Sequence, residues 1–135
     1  MKHRSLIFLA VVSLIGGLSL RNSDKYMDLP FMKISEYDFF KGTLSDQVPA
    51  EGVLPYHLNT PLFTDYAEKL RFLKLPGGTK ILYNDTAVFE FPAGTAIINT
   101  FYYPIDFRDL SKGRRLMETR VLLKERNGWL ALPYI

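Results

Sequence analysis

Polar and apolar side chains alternate along Arg114–Arg126, with Leu116, Glu118, Arg120 and Leu122 on one side and Met117, Thr119, Val121 and Leu123 on the other. A period of two is the mark of a β-strand with two unlike faces. Ala96–Tyr103 is dense in β-branched and aromatic residues and predicts a second strand. Lys80–Tyr83 and Ala87–Phe91 flank Asn84-Asp85-Thr86, which predicts a hairpin with a polar turn. Asn127-Gly128 is a strong hairpin signal, and Trp129–Leu132 pairs back from it. Arg71–Leu75 reads as a further strand, closed by the turn Pro76-Gly77-Gly78.

Helical patterning is scarce. Ser35–Lys41 predicts a short helix, with Ser35 as its cap, Asp38 at the reciprocal position, Phe39-Phe40 as its anchor and Gly42 as its stop. Asp65–Lys69 offers one helical turn at most. Thr43–Pro61 reads as loop, punctuated by Pro49, Gly52, Pro55 and Pro61, with Val53–Tyr56 extended. The expected fold is mainly β: antiparallel sheets, as a sandwich or open barrel, with one or two short N-terminal helices.

The first twenty residues follow a different rule. Met1–Arg4 is basic, Ser5–Leu20 carries no charge, and Arg21–Lys25 ends the run with charged and polar side chains. This is the pattern of an export signal, with small residues Gly17 and Ser19 placed for cleavage after Ser19. A retained anchor is the alternative, but a spanning helix needs about 17–25 apolar residues and Gly16-Gly17 weakens this one. The expected organisation is therefore a signal over 1–19, a linker over 20–33 and a β-rich domain over 34–135. The expected location is periplasmic or secreted, with membrane contact only through residues 5–20 if the segment stays uncut. The last residues, Pro133-Tyr134-Ile135, carry no polar tail, which suggests a domain truncated at its C-terminus.

Composition narrows the chemistry. Without the signal, about 115 of the 135 residues remain, enough for one domain with one core. Removing Lys2 and Arg4 from 17 basic residues leaves 15 against 14 acidic ones, so the alkaline character belongs partly to the signal and does not suggest nucleic acid. The chain has no cysteine, which excludes disulfides, thiol nucleophiles, Fe–S clusters and thioether-held haem. His57 is the only histidine after the signal, so a His-rich metal site is excluded as well.

Several constellations carry a sharp and a plain reading. Residues 106–126 are locally basic, through Arg108, Lys112, Arg114, Arg115, Arg120, Lys124 and Arg126. Arg108, Arg114, Arg115 and Arg120 are the candidate contacts for an acidic partner; the plain reading is a solvated strand face. Glu90 and Glu118 are candidate paired carboxylates, and Tyr102, Tyr103 and Trp129 a candidate sugar-stacking platform. Asn84-Asp85-Thr86 fits a glycosylation sequon, but its first reading is a turn. Asp106 and Asp109 lack the dense spacing of a Ca²⁺ loop. No catalytic, cofactor or metal residue is assigned.

Three stretches are more specific: Pro55–Lys69 (PYHLNTPLFTDYAEK), Phe91–Thr95 (FPAGT) with the strand to Tyr103, and Gly113–Arg120 (GRRLMETR). Together they resemble the N-terminal module of a family of exported bacterial diheme c-type cytochromes, a module also found beside quinoprotein sugar-dehydrogenase-like domains. The resemblance runs from about Ile34 to Tyr134. It implies a non-catalytic periplasmic domain that accompanies electron transfer, with a c-type cytochrome or periplasmic dehydrogenase as partner. Such proteins carry Cys-x-x-Cys-His motifs downstream, so haem c is expected only in a partner or a continuation. The alternative is a carbohydrate- or cell-surface-binding β-module.

Overall fold

The computed structural model describes residues 30–135. The expected signal over 1–19 lies outside the described residues. Seven strands follow in order: β1 (Phe40–Lys41), β2 (Val48–Pro49), β3 (Val53–Pro55), β4 (Glu68–Lys74), β5 (Ala96–Pro104), β6 (Arg114–Glu125) and β7 (Gly128–Tyr134). β1 and β2 form a small antiparallel pair, and β3-β4-β5-β6-β7 form one antiparallel meander. The mainly β, antiparallel expectation holds.

The helix expected over Ser35–Lys41 is only a single 3₁₀ turn at Ile34–Tyr37, and Asp65–Lys69 is not helical but leads into β4; Leu44–Asp46, expected as loop, is a further 3₁₀ turn. Asp38 takes a left-handed φ of 53° and stops the first turn at once. Its N-terminus is capped by Glu36, whose carboxylate accepts from the Lys33 N–H at 2.8 Å, and not by Ser35. Propensity in a segment this short yields to the placement of Tyr37 and Phe39, both fully buried.

Those two rings explain the architecture. The inner face of the meander presents Val53, Phe72, Ala96, Ile98, Val121 and Leu123, all buried. Residues 31–50 cross this face as its second layer, and Phe31, Ile34, Phe40 and Ala50 pack on the same core. Tyr37 stacks on Phe39 at 5.0 Å and meets Phe31 edge-on at 4.7 Å. Tyr134, at the end of β7, donates its hydroxyl to Phe31 O at 2.8 Å and lies 2.9 Å from the Tyr37 hydroxyl. This small network ties the covering segment to the far strand. Deeper in the same face, Thr100 and Thr119 are cross-strand partners and satisfy each other at 2.9 Å.

Three local expectations are corrected. Lys80–Tyr83 and Ala87–Phe91 do not form two strands; a single bridge joins Leu82 to Glu90. Tyr83 and Phe89 meet only each other's rings, at 5.4 Å, and both stay exposed with Val88 off the core, so the ladder does not extend. The last reversal falls on Arg126 and Asn127, and Gly128 already opens β7 opposite Glu125. Finally, β6 does not alternate evenly. Phe101 pairs with Glu118 and Tyr102 with Leu116, so Met117 is an extra, bulged residue. Leu116 therefore faces away from Glu118 and Arg120.

Two outcomes test this packing. Phe39→Ala is expected to cost about 3–5 kcal/mol in chemical denaturation, because it empties a fully buried site. Burial and its hydroxyl contact with Tyr37 push the Tyr134 phenol well above its ordinary pKa. A raised phenol pKa means the folded state keeps a proton that the unfolded chain gives up near pH 10. Stability should be unaffected by this group below about pH 10 and fall as pH rises beyond it, a loss that Tyr134→Phe should reduce.

Candidate functional site

Among the described residues, only one face of the meander is covered. On the opposite, outer face the strand register aligns side chains into rows. Lys69, Phe101 and Glu118 form one row across β4, β5 and β6; Arg71, Asn99 and Arg120 form the next. Leu73, Ile97, Leu122 and Ala131 form an apolar row beyond them, running on to β7. The bulge at Met117 returns Arg115 to this face, opposite Tyr103, and Lys124 lies on it opposite Trp129.

The outer face thus holds Lys69, Arg71, Arg115, Arg120 and Lys124 against Glu118 as the one carboxylate. Phe101 organises its centre. The Lys69 ammonium lies 5.3 Å from the ring centroid and the Arg120 guanidinium 4.8 Å from it, on flanking strands. Glu118 takes Arg120 in a two-pronged pair, Nε to Oε1 at 2.8 Å and Nη2 to Oε2 at 2.9 Å. These hydrogen bonds hold the Glu118 carboxyl below its ordinary pKa and raise that of Arg120. Asn99 lies between Arg71 and Arg120 in its row, and its Oδ1 is buried without a hydrogen-bond partner. The arrangement is cationic and aromatic, and it suits an anionic surface.

The four arginines predicted as contacts are divided by the structure. Arg115 and Arg120 are on the outer face. Arg114 points to the other side, with its guanidinium 5.0 Å from the Tyr102 ring. Arg108 sits in the loop between β5 and β6, where its Nε and backbone N–H donate to Asp106 at 3.2 and 2.9 Å. Lys112 donates to the same carboxylate at 2.8 Å. Asp106 is therefore a loop organiser, held below its ordinary pKa chiefly by Lys112. Lys69 and Arg71 were not predicted, because no spacing within one strand reveals a neighbour two strands away in the register.

The other candidates take structural roles. Asn84 Oδ1 accepts from the Thr86 and Ala87 N–H groups at 2.9 and 3.0 Å, which makes the sequon an Asx-type turn. Asp109 caps the turn at Leu110–Lys112 by accepting from Ser111. Glu118 is engaged by Arg120, while Glu90 belongs to the loop beyond the Ala96 end of β5. Tyr102 lies on the inner side with Leu116, Tyr103 on the outer side with Arg115, and Trp129 two strands away beside Phe91, so the three rings form no common platform. His57 is exposed in the loop after β3. Among the described residues no three His, Cys, Asp or Glu side chains converge as a metal site. No family model, curated protein or solved structure matches the chain.

The Glu118–Arg120 pair is directly testable. By NMR titration, the Glu118 carboxyl should titrate below the ordinary glutamate value, and Arg120→Ala should raise it to the ordinary value or above, because only desolvation then remains.

Proposed function

We propose that the chain is a non-catalytic, exported docking domain whose outer sheet face binds an acidic electron-transfer partner, a c-type cytochrome or a periplasmic dehydrogenase. The observation that carries the reading is the set of five cations around Phe101 and Trp129 with a single carboxylate among them. A cationic face of this kind attracts an anionic protein at long range and fixes its orientation at contact. The rigid sheet holds the charges in place without the ordering cost of a mobile loop.

The class of partner follows from the likeness of Pro55–Lys69, Phe91–Tyr103 and Gly113–Arg120 to the module of exported diheme cytochromes. Export follows from the basic start and uncharged run at the N-terminus. In this reading haem c belongs to the partner or to a continuation of the chain, because the chain supplies no cysteine for thioether bonds. Its role is to hold and orient the electron carrier, and the redox chemistry takes place elsewhere.

The test is a titration of the chain with an acidic periplasmic c-type cytochrome. Binding should weaken at least tenfold between 0.05 and about 0.5 M salt, since exposed charges are screened over about 10 Å at 0.1 M. The double variant Arg71→Glu/Arg120→Glu should lose binding with its circular dichroism unchanged. Binding that ignores both salt and charge reversal would sink the proposal.

A further inference from the structure

The two edges of the meander are not alike. β3 is a three-residue strand ending in Pro55, and β2 runs close against it. A short, proline-ended edge is protected against pairing. β7 is seven residues long, Gly-Trp-Leu-Ala-Leu-Pro-Tyr, and carries no charge. Among the described residues its pairing partner is β6 alone.

The backbone groups that β7 leaves open are set by the ladder. Lys124 directs both its N–H and its C=O toward β5, to Thr95 O at 2.8 Å and from Gly94 N at 2.7 Å. In an antiparallel ladder these directions alternate. Hence Leu123 and Leu130 bond to each other, while Trp129, Ala131 and Pro133 turn their main-chain groups to the free edge. That edge offers two N–H donors, from Trp129 and Ala131, and three C=O acceptors. Pro133 has no N–H to offer, and it occupies a position where none is needed for the fold.

We propose that this edge pairs with β7 of a second copy of the chain, antiparallel, about a two-fold axis at Ala131. The array of partial charges is its own complement. Ala131 bonds Ala131 of the other copy in both directions, and the Trp129 N–H of each copy meets the Pro133 C=O of the other. Both free donors on each edge are used. On the inner side, Leu130 of one copy faces Leu132 of the other, and both are only partly buried in the single chain. Gly128 faces Tyr134 and leaves room for its ring. A shift of the axis to Leu130 sets Pro133 and Tyr134 against the turn at Arg126–Asn127. A shift to Leu132 sets Trp129 against Ile135, beyond the end of the strand, and leaves Gly128 unpaired. The register centred on Ala131 is the one that overlaps the whole strand.

The two-fold axis stands perpendicular to the sheet, so the two cationic outer faces lie side by side on one surface. A strand-edge interface is small, below the roughly 1,200 Å² of a standard complex. The dimer should therefore be concentration-dependent.

The chain's lack of cysteine makes the register readable. In the full chain, Ala131→Cys is expected to cross-link into a disulfide dimer under copper phenanthroline, because partnered Cα atoms about 5.5 Å apart suit a disulfide. Asp85→Cys, in an exposed loop, gives the background rate. Sedimentation of the unaltered chain should show a monomer–dimer equilibrium, and Ala131→Pro should leave only monomer. Proline is tolerated at Ala131 for the reason it is tolerated at Pro133, and circular dichroism checks that the variant is folded; if it is not, the cross-link decides alone. Cross-linking of Ala131→Cys no faster than Asp85→Cys, or a folded Ala131→Pro that still dimerises, would overturn the proposal.

Discussion

A single sheet has two faces, and the described residues of this chain cover one. The second layer over the inner face is the segment 31–50, fixed by Tyr37 and Phe39 and by the hydroxyl network that reaches Tyr134. Everything else in the structure follows from that shortage of cover. The inner face is apolar and closed with threonines paired inside it. The outer face must meet water, and it does so with long cationic side chains, two of which lie over Phe101. Aromatic rings that would otherwise be exposed on this face are shielded by charge: Phe101 by Lys69 and Arg120, Trp129 by Lys124. The same side chains that make the open face soluble give it its one conspicuous chemical property.

The bulge at Met117 has a larger consequence than its size suggests. A period-two strand places every second residue together, so one extra residue exchanges the faces beyond it. Arg115 joins Glu118 and Arg120, and Arg114 leaves them for Tyr102. Without the bulge, Arg115 would turn to the covered side at the rim of the core. The bulge also lies near the Asp106 loop, whose two cations both pair with that one carboxylate. Positive charge is thereby concentrated on the sheet face and damped in the adjoining loop.

What the sequence reveals tracks the range of the interaction. The alternation of β6, the β-rich run of β5 and the return of β7 are local patterns and are legible as such. The covering layer is not, because Ser35–Lys41 has a local helical pattern and a tertiary duty, to bury Tyr37 and Phe39, that a regular helix does not meet. Lys80–Phe91 fails for the opposite reason: its local hairpin pattern is sound, but no core lies within reach to reward it. The candidate site is half legible. Arg115 and Arg120 lie within one strand, whereas Lys69 and Arg71 join them only through the register of β4 on β5. The bulge that separates Arg114 from Arg115 has no marker of its own in Leu116-Met117-Glu118.

The central claim is that the open, cationic sheet face is the surface this domain uses. Mapping amide chemical-shift changes on the labelled chain as an acidic c-type cytochrome is added tests it most directly. The changes should fall on Lys69, Arg71, Phe101, Arg115 and Arg120 and spare the covering segment from Phe31 to Ala50. Changes centred on Tyr37, Phe39 and the covering segment, with the outer rows silent, would contradict it.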